Sequence, residues 1–182
     1  MSSSTGLAGA IRDVALLEGD FVLRSGRRSS YYLDKYRFST RPDLLAQIGA
    51  AIAEAVRRHE PGAVRLAAPE LGAVPLAAAA SLELGLPFVI VRGAAKEYGT
   101  ANRIEGVYEP GELVCLVEDV VTAGGAALEA VEALRAAGLA VSTAICVVDR
   151  EEGGADALAR AAVRLRPLLL GSEVREAATP HG

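Results

Sequence analysis

The segment Leu113-Val114-Cys115-Leu116-Val117-Glu118-Asp119-Val120-Val121-Thr122-Ala123-Gly124-Gly125-Ala126 passes from an apolar run through two adjacent carboxylates into a glycine-bearing turn and a helix-forming stretch. Five apolar residues in succession predict a strand covered on both faces, as in a parallel sheet flanked by helices. The turn leaves backbone N–H groups without partners at the start of a helix predicted over 126–137, where the positive end of the helix dipole also lies. A phosphate can be held there without a lysine, with Gly124 and Gly125 allowing close backbone approach and the Thr122 hydroxyl adding a donor. Glu118 and Asp119 would repel that phosphate if aimed at it, so they suit the two hydroxyls of an attached ribose. The motif thus predicts a grip on both ends of a ribose 5-phosphate, built from Glu118, Asp119, Val120, Val121, Thr122, Ala123, Gly124, Gly125 and Ala126.

The rest of the chain agrees with that sheet. A helix is predicted over 6–17 from Leu7, Ile11, Val14 and Leu17, then two short strands over 21–24 and 31–34 joined by a polar turn. Leu44, Leu45, Ile48, Ile52, Ala55 and Val56 mark one face of a long helix opened by Ser39 or Thr40 and Pro42. Strand and helix then alternate: strand 64–68, helix 74–84, strand 88–92, a long polar loop, strand 113–117, helix 126–137, strand 141–148, helix 155–161 and strand 163–169. This pattern predicts an α/β fold with ligands gathered at the carboxyl ends of the strands. One domain over 1–182 is expected: an N-terminal hood over about 1–38, a core over about 39–171 and a loosely docked or frayed tail over 172–182.

Composition narrows the function classes. A formal net charge of −4 gives no electrostatic case for wrapping nucleic acid. No apolar run approaches membrane-spanning length, and Cys115 and Cys146 lie in apolar strands without metal-ligand spacing, so a cytoplasmic protein without a membrane partner is expected. Neither a Gly-x-x-x-x-Gly-Lys-Ser/Thr loop nor a Gly-x-Gly-x-x-Gly motif occurs, which argues against a nucleotide triphosphatase and a dinucleotide fold. Of the 19 basic residues only Lys35 and Lys96 are lysines, so each lysine asks for a specific reason.

The acidic-pair motif resembles the signature of the type I phosphoribosyltransferases, which move ribose 5-phosphate from phosphoribosyl pyrophosphate (PRPP) to a nitrogenous base. Three further segments resemble the orotate phosphoribosyltransferases. The stretch from Phe21 to Asp34 is similar to the segment that covers the base, which implies orotate contacts at Arg24, Tyr32 and Leu33, with Thr122 also near the base. Pro69-Glu70-Leu71-Gly72 corresponds to the pyrophosphate loop, implying diphosphate contacts at Leu71 and Gly72, although the lysine that many members carry near Leu71 is absent. Arg92 and Lys96 match the mobile catalytic loop, whereas Gly93 stands for its second basic residue and Tyr98 for its histidine.

The resemblance implies that Arg92, Lys96 and Asp119 are the catalytic residues, that Arg92, Lys96 and Tyr98 contact PRPP, and that Arg150 pairs with the carboxylate of orotate. The alternative reading of Arg150 is a surface pair with Asp149 or Glu151. The resemblance also implies Mg²⁺ bound through PRPP and water with no direct protein ligand, and a homodimer whose Lys96 loop reaches the neighbouring site. The expected reaction gives orotidine 5-monophosphate and pyrophosphate in pyrimidine biosynthesis. Transfer to another base, or PRPP sensing without turnover, are the alternatives.

Overall fold

The computed structural model describes residues 4–22, 26, 28–93 and 103–177. Its centre is a six-stranded sheet of order β5-β4-β3-β6-β7-β8, formed by β3 (Arg65–Pro69), β4 (Phe88–Val91), β5 (Ile104–Glu105), β6 (Leu113–Val121), β7 (Ala140–Asp149) and β8 (Arg164–Leu170). All neighbouring strands run parallel except β5, a two-residue edge antiparallel to β4. Because β3 has β4 on one side and β6 on the other, the winding direction reverses between β3 and β6, and a crevice opens at their carboxyl ends.

Helices cover both faces, as the apolar strands require. On one face Leu66, Cys115, Val117 and Ile145 pack with α1 (Ser4–Ala15), α3 (Pro42–His59) and α4 (Ala73–Leu84). In α3, Leu44, Ile48, Ile52 and Val56 follow the helical period and are all buried, behind a proline in the first turn. On the other face Ala67, Val114, Leu116 and Ala144 pack with α5 (Gly125–Ala136) and α6 (Gly154–Arg160). Each Leu or Ile fully withdrawn from water contributes about 1.5–3 kcal/mol, which makes the two apolar layers the main driving force of the fold. Both cysteines are buried and unbridged. Among the described residues, no helix is long and apolar enough to cross a membrane.

Several boundaries differ from expectation, each for a tertiary reason. Strand β6 does not end at Val117: Val120 and Val121 continue the ladder opposite Val148 and Asp149, so Glu118 and Asp119 lie within the strand. At the N-terminus α1 stops at Ala15, because Leu16 and Leu17 pair with Leu33 and Tyr32 in a separate hairpin of β1 (Leu16–Val22) and β2 (Arg28–Leu33). Helix α1 itself lies in the main core through Leu7, Ala8, Ile11 and Ala15, leaving the hairpin as the projecting part. A short helix, α2 (Lys35–Ser39), follows the hairpin, and its Phe38 is wholly buried. Residues 171–176 are not frayed: α7 (Gly171–Glu176) docks through Val174.

Candidate active site

The crevice between β3 and β6 gathers most of the described residues anticipated from the sequence. Strand β6 delivers Glu118 and Asp119, which are 5% and 3% exposed, so two carboxylates have been taken almost completely out of water. Their environments differ. Asp119 Oδ2 lies 2.8 Å from Lys35 Nζ, and its Oδ1 accepts from the Val120 N–H at 2.6 Å. Glu118 Oε1 has no hydrogen-bond partner. Burial, followed by the charge of Asp119, pushes the Glu118 carboxyl up to about 8, with Lys35 opposing the shift. Burial works against the charge on Lys35, yet its hydrogen bond and attraction to Asp119 outweigh that and raise its pKa.

Beyond Val121, Thr122 and Ala123 are exposed and Gly124 turns the chain into α5 with φ of 85°. That left-handed conformation favours glycine, and a Cβ there would also stand 3.2 Å from the Gly154 Cα. No side chain caps α5, and Gly125 and Ala126 at its start are exposed. The first-turn amides are therefore available to an anion, in line with the expected phosphate grip.

The other wall is the turn after β3. Leu71 is largely exposed, whereas Gly72 is packed so closely that a Cβ would lie 2.0 Å from Asp119 Oδ2. Only glycine lets the predicted pyrophosphate loop meet the acidic strand. Glu70 accepts from the Gly93 N–H at 2.9 Å and lies 4.0 Å from Arg92 Nε, while an Arg92 terminal nitrogen sits 3.7 Å from Glu105 Oε1. Arg92 is thus held at the β4 end by two carboxylates, and the sequence offered no sign of this. Arg24, Lys96 and Tyr98 lie outside the described residues.

On the hairpin side, the Arg150 side chain is only 7% exposed, with one terminal nitrogen 3.1 Å from Glu152 and its Nε without a hydrogen-bond partner. Its guanidinium lies over the Tyr31 ring at 4.7 Å, and that of Arg175 lies over the same ring at 5.3 Å. The charge partner of Arg150 is therefore Glu152, not Asp149 or Glu151, which instead hydrogen-bond to each other through the Glu151 N–H. Tyr31 and Arg175 were not anticipated. The neighbouring Tyr32 is exposed and its ring meets Phe21 at 5.7 Å, while Leu33 is buried. Strand alternation sends adjacent tyrosines to opposite sides, and only the tertiary fold decides which one meets Arg150.

The family profile described as phosphoribosyl transferase domain matches residues 38–163. An orotate phosphoribosyltransferase from Methanocella arvoryzae is 53% identical over 156 residues, covering 86% of this chain and 87% of the relative. The crystal structure of orotate phosphoribosyltransferase from Aeropyrum pernix superposes with a TM-score of 0.84 at 35% identity, covering 93% of this chain and 96% of that one. The Mycobacterium tuberculosis H37Rv orotate phosphoribosyltransferase, in complex with 5-phospho-alpha-D-ribosyl 1-diphosphate, superposes with a TM-score of 0.79 at 30% identity, covering 94% and 98%. By its fold, the matched profile and these relatives, the chain belongs to the phosphoribosyltransferase family, among the orotate phosphoribosyltransferases.

Proposed function

We propose that this protein transfers ribose 5-phosphate from PRPP to orotate, releasing pyrophosphate and forming orotidine 5-monophosphate for pyrimidine biosynthesis. The observation that carries the reading is the meeting, in one crevice, of the buried Glu118–Asp119 pair with the uncapped start of α5 and the pyrophosphate-loop glycine. In this reading the amides of the turn and the Thr122 hydroxyl hold the 5-phosphate, and the two carboxylates accept the ribose hydroxyls. Arg150, lying over Tyr31 with an unsatisfied Nε, suits the carboxylate of orotate.

A ring nitrogen of orotate forms the new bond to the anomeric carbon as the bond to the diphosphate oxygen breaks, and the electron pair leaves with pyrophosphate. Positive character grows on the ribose and negative charge on the leaving group. The Asp119 carboxylate beside the sugar favours the first, and Arg92 with Lys96 would meet the second. Arg92 lies 4.0 Å from Glu70 and 3.7 Å from Glu105 in partly exposed pairs, so turning to the diphosphate costs it little.

Among the described residues, no three His, Cys, Asp or Glu side chains gather to cage a metal ion. In this reading Mg²⁺ would be bound chiefly through PRPP oxygens and water and would neutralise the developing diphosphate charge. The same reading makes the protein a cytoplasmic homodimer with Lys96 acting in the neighbouring site. Mixing two inactive variants, Lys96→Ala and Asp119→Ala, then returns about a quarter of native activity through one intact site in half the dimers. No recovery from proven heterodimers rejects the shared site.

The direct test of function is ultraviolet loss of orotate on addition of PRPP and magnesium. Loss that requires both substrates supports the transferase. PRPP binding with no base consumed would overturn it.

A further inference from the structure

Lys35 is the only lysine among the described residues, and it lies outside the motifs that mark the sugar-phosphate grip. Its position is set from both sides. Asp34 caps α2, accepting from the Tyr36 N–H at 3.1 Å, while the Asp34 N–H donates to the Ala15 carbonyl at 2.9 Å, and Phe38 anchors the helix in the core. From this mount the side chain crosses to the crevice, where Nζ pairs with Asp119 and Cε lies 3.1 Å from the place a Gly72 Cβ would occupy. One cation therefore stands at the junction of the acidic strand and the pyrophosphate loop.

The charge around that junction shows what the cation is for. Glu70 and Asp119 bring negative charge to the crevice walls, the loop itself presents apolar Leu71, and Arg92 lies between Glu70 and Glu105. A diphosphate entering between Gly72 and Asp119 would meet carboxylates with little to balance them. Lys35 is about one-third exposed on its side chain, against 4% for Asp119, so it can swing on its flexible stem while the aspartate stays in place.

We infer that Lys35 is a diphosphate-binding residue: when PRPP enters, its ammonium passes from Asp119 to the diphosphate oxygens and frees Asp119 for the ribose hydroxyls. In the empty site the pair satisfies a buried carboxylate. In the filled site the same lysine supplies, from the hood side, charge that Leu71 does not provide. The inference rests on the proposed function, since it names the contact for the diphosphate of that substrate.

The test uses Lys35→Met, which keeps most of the stem and removes the charge, and Lys35→Arg, which keeps the charge. Binding of pyrophosphate, PRPP and ribose 5-phosphate is measured by calorimetry, beside the KM for orotate. For Lys35→Met, pyrophosphate and PRPP should weaken by about tenfold or more, the loss of one charge-assisted hydrogen bond. Ribose 5-phosphate, which lacks the diphosphate, should bind as tightly as to wild type or more tightly. The orotate KM should hold, and Lys35→Arg should restore much of the pyrophosphate affinity. Unchanged pyrophosphate affinity overturns the inference, and so does an equal loss for ribose 5-phosphate and PRPP, which would make Lys35 only an organiser of Asp119. Lys35-dependent pyrophosphate binding in a wild-type protein that does not consume orotate would leave the inference standing and the transferase reading refuted.

Discussion

Replacing Glu118 with glutamine should remove a pH dependence from folding stability. The folded protein keeps this carboxyl protonated up to about 8, whereas the ordinary value is 4.5, because the group is buried and faces Asp119. Between those two values the folded chain binds a proton that the unfolded chain has released, so the stability contributed by this group is full below the lower value and falls as pH rises through the upper one. The slope is up to about 1.4 kcal/mol per pH unit. Over the two units from about pH 5.5 to 7.5 the native protein should therefore lose up to about 2.7 kcal/mol that Glu118→Gln keeps. Urea unfolding without substrate, extrapolated to zero denaturant at each pH, gives both curves, and their difference cancels the titrating groups that do not interact with Glu118. The gap should widen with pH in favour of the variant. Parallel curves would refute the reasoning, since they would mean that Glu118 is already ionised in the folded state across this range.

Two more perturbations probe the remaining walls of the crevice. Arg150→Ala should raise the orotate KM by about 30- to 100-fold, the worth of a bidentate charged contact, with PRPP affinity little changed; equal effects on both substrates, read from initial rates, would make the residue structural. Gly154→Ala would place a Cβ 2.4 Å from Val121 Cγ1 and 2.5 Å from the Thr122 carbonyl oxygen, so the backbone of the phosphate turn must shift. It should cost about 1–3 kcal/mol in thermal unfolding and weaken ribose 5-phosphate, and native behaviour on both counts would show that α6 does not brace the turn.

The strand–turn–helix unit around the acidic pair was legible because its signals are local: an apolar run, two carboxylates and a glycine turn lie side by side in the chain. The end of β6 was not, since a charged pair ordinarily stops a buried strand, and here the ladder to β7 carries it through to Val121. Helix α2 escaped because five residues are too few to show a period. The approach of Arg92 to Glu70 and Glu105 and the placement of Arg150 over Tyr31 join segments distant in sequence, and no one-dimensional pattern encodes them. Lys35 left one trace, its rarity as a lysine, without any hint of its partner. The resemblance to the family supplied Arg150, which composition alone would have left as a surface charge.

Among the described residues, the hairpin of β1 and β2 is a two-stranded sheet of its own, paired only with itself and interrupted between Glu18 and Phe21. Most of its residues are at least partly exposed. Such a ribbon opens at far lower free energy than the central strands, so its amides should exchange with solvent well before those of β6 and β7. Beside Arg150 the Tyr31 ring, shared by two guanidinium groups, ties it down, and at its base Leu33 is buried in the core. The two halves of the crevice therefore belong to different cooperative units, and a molecule whose hairpin has let go still presents an intact acidic strand and phosphate turn.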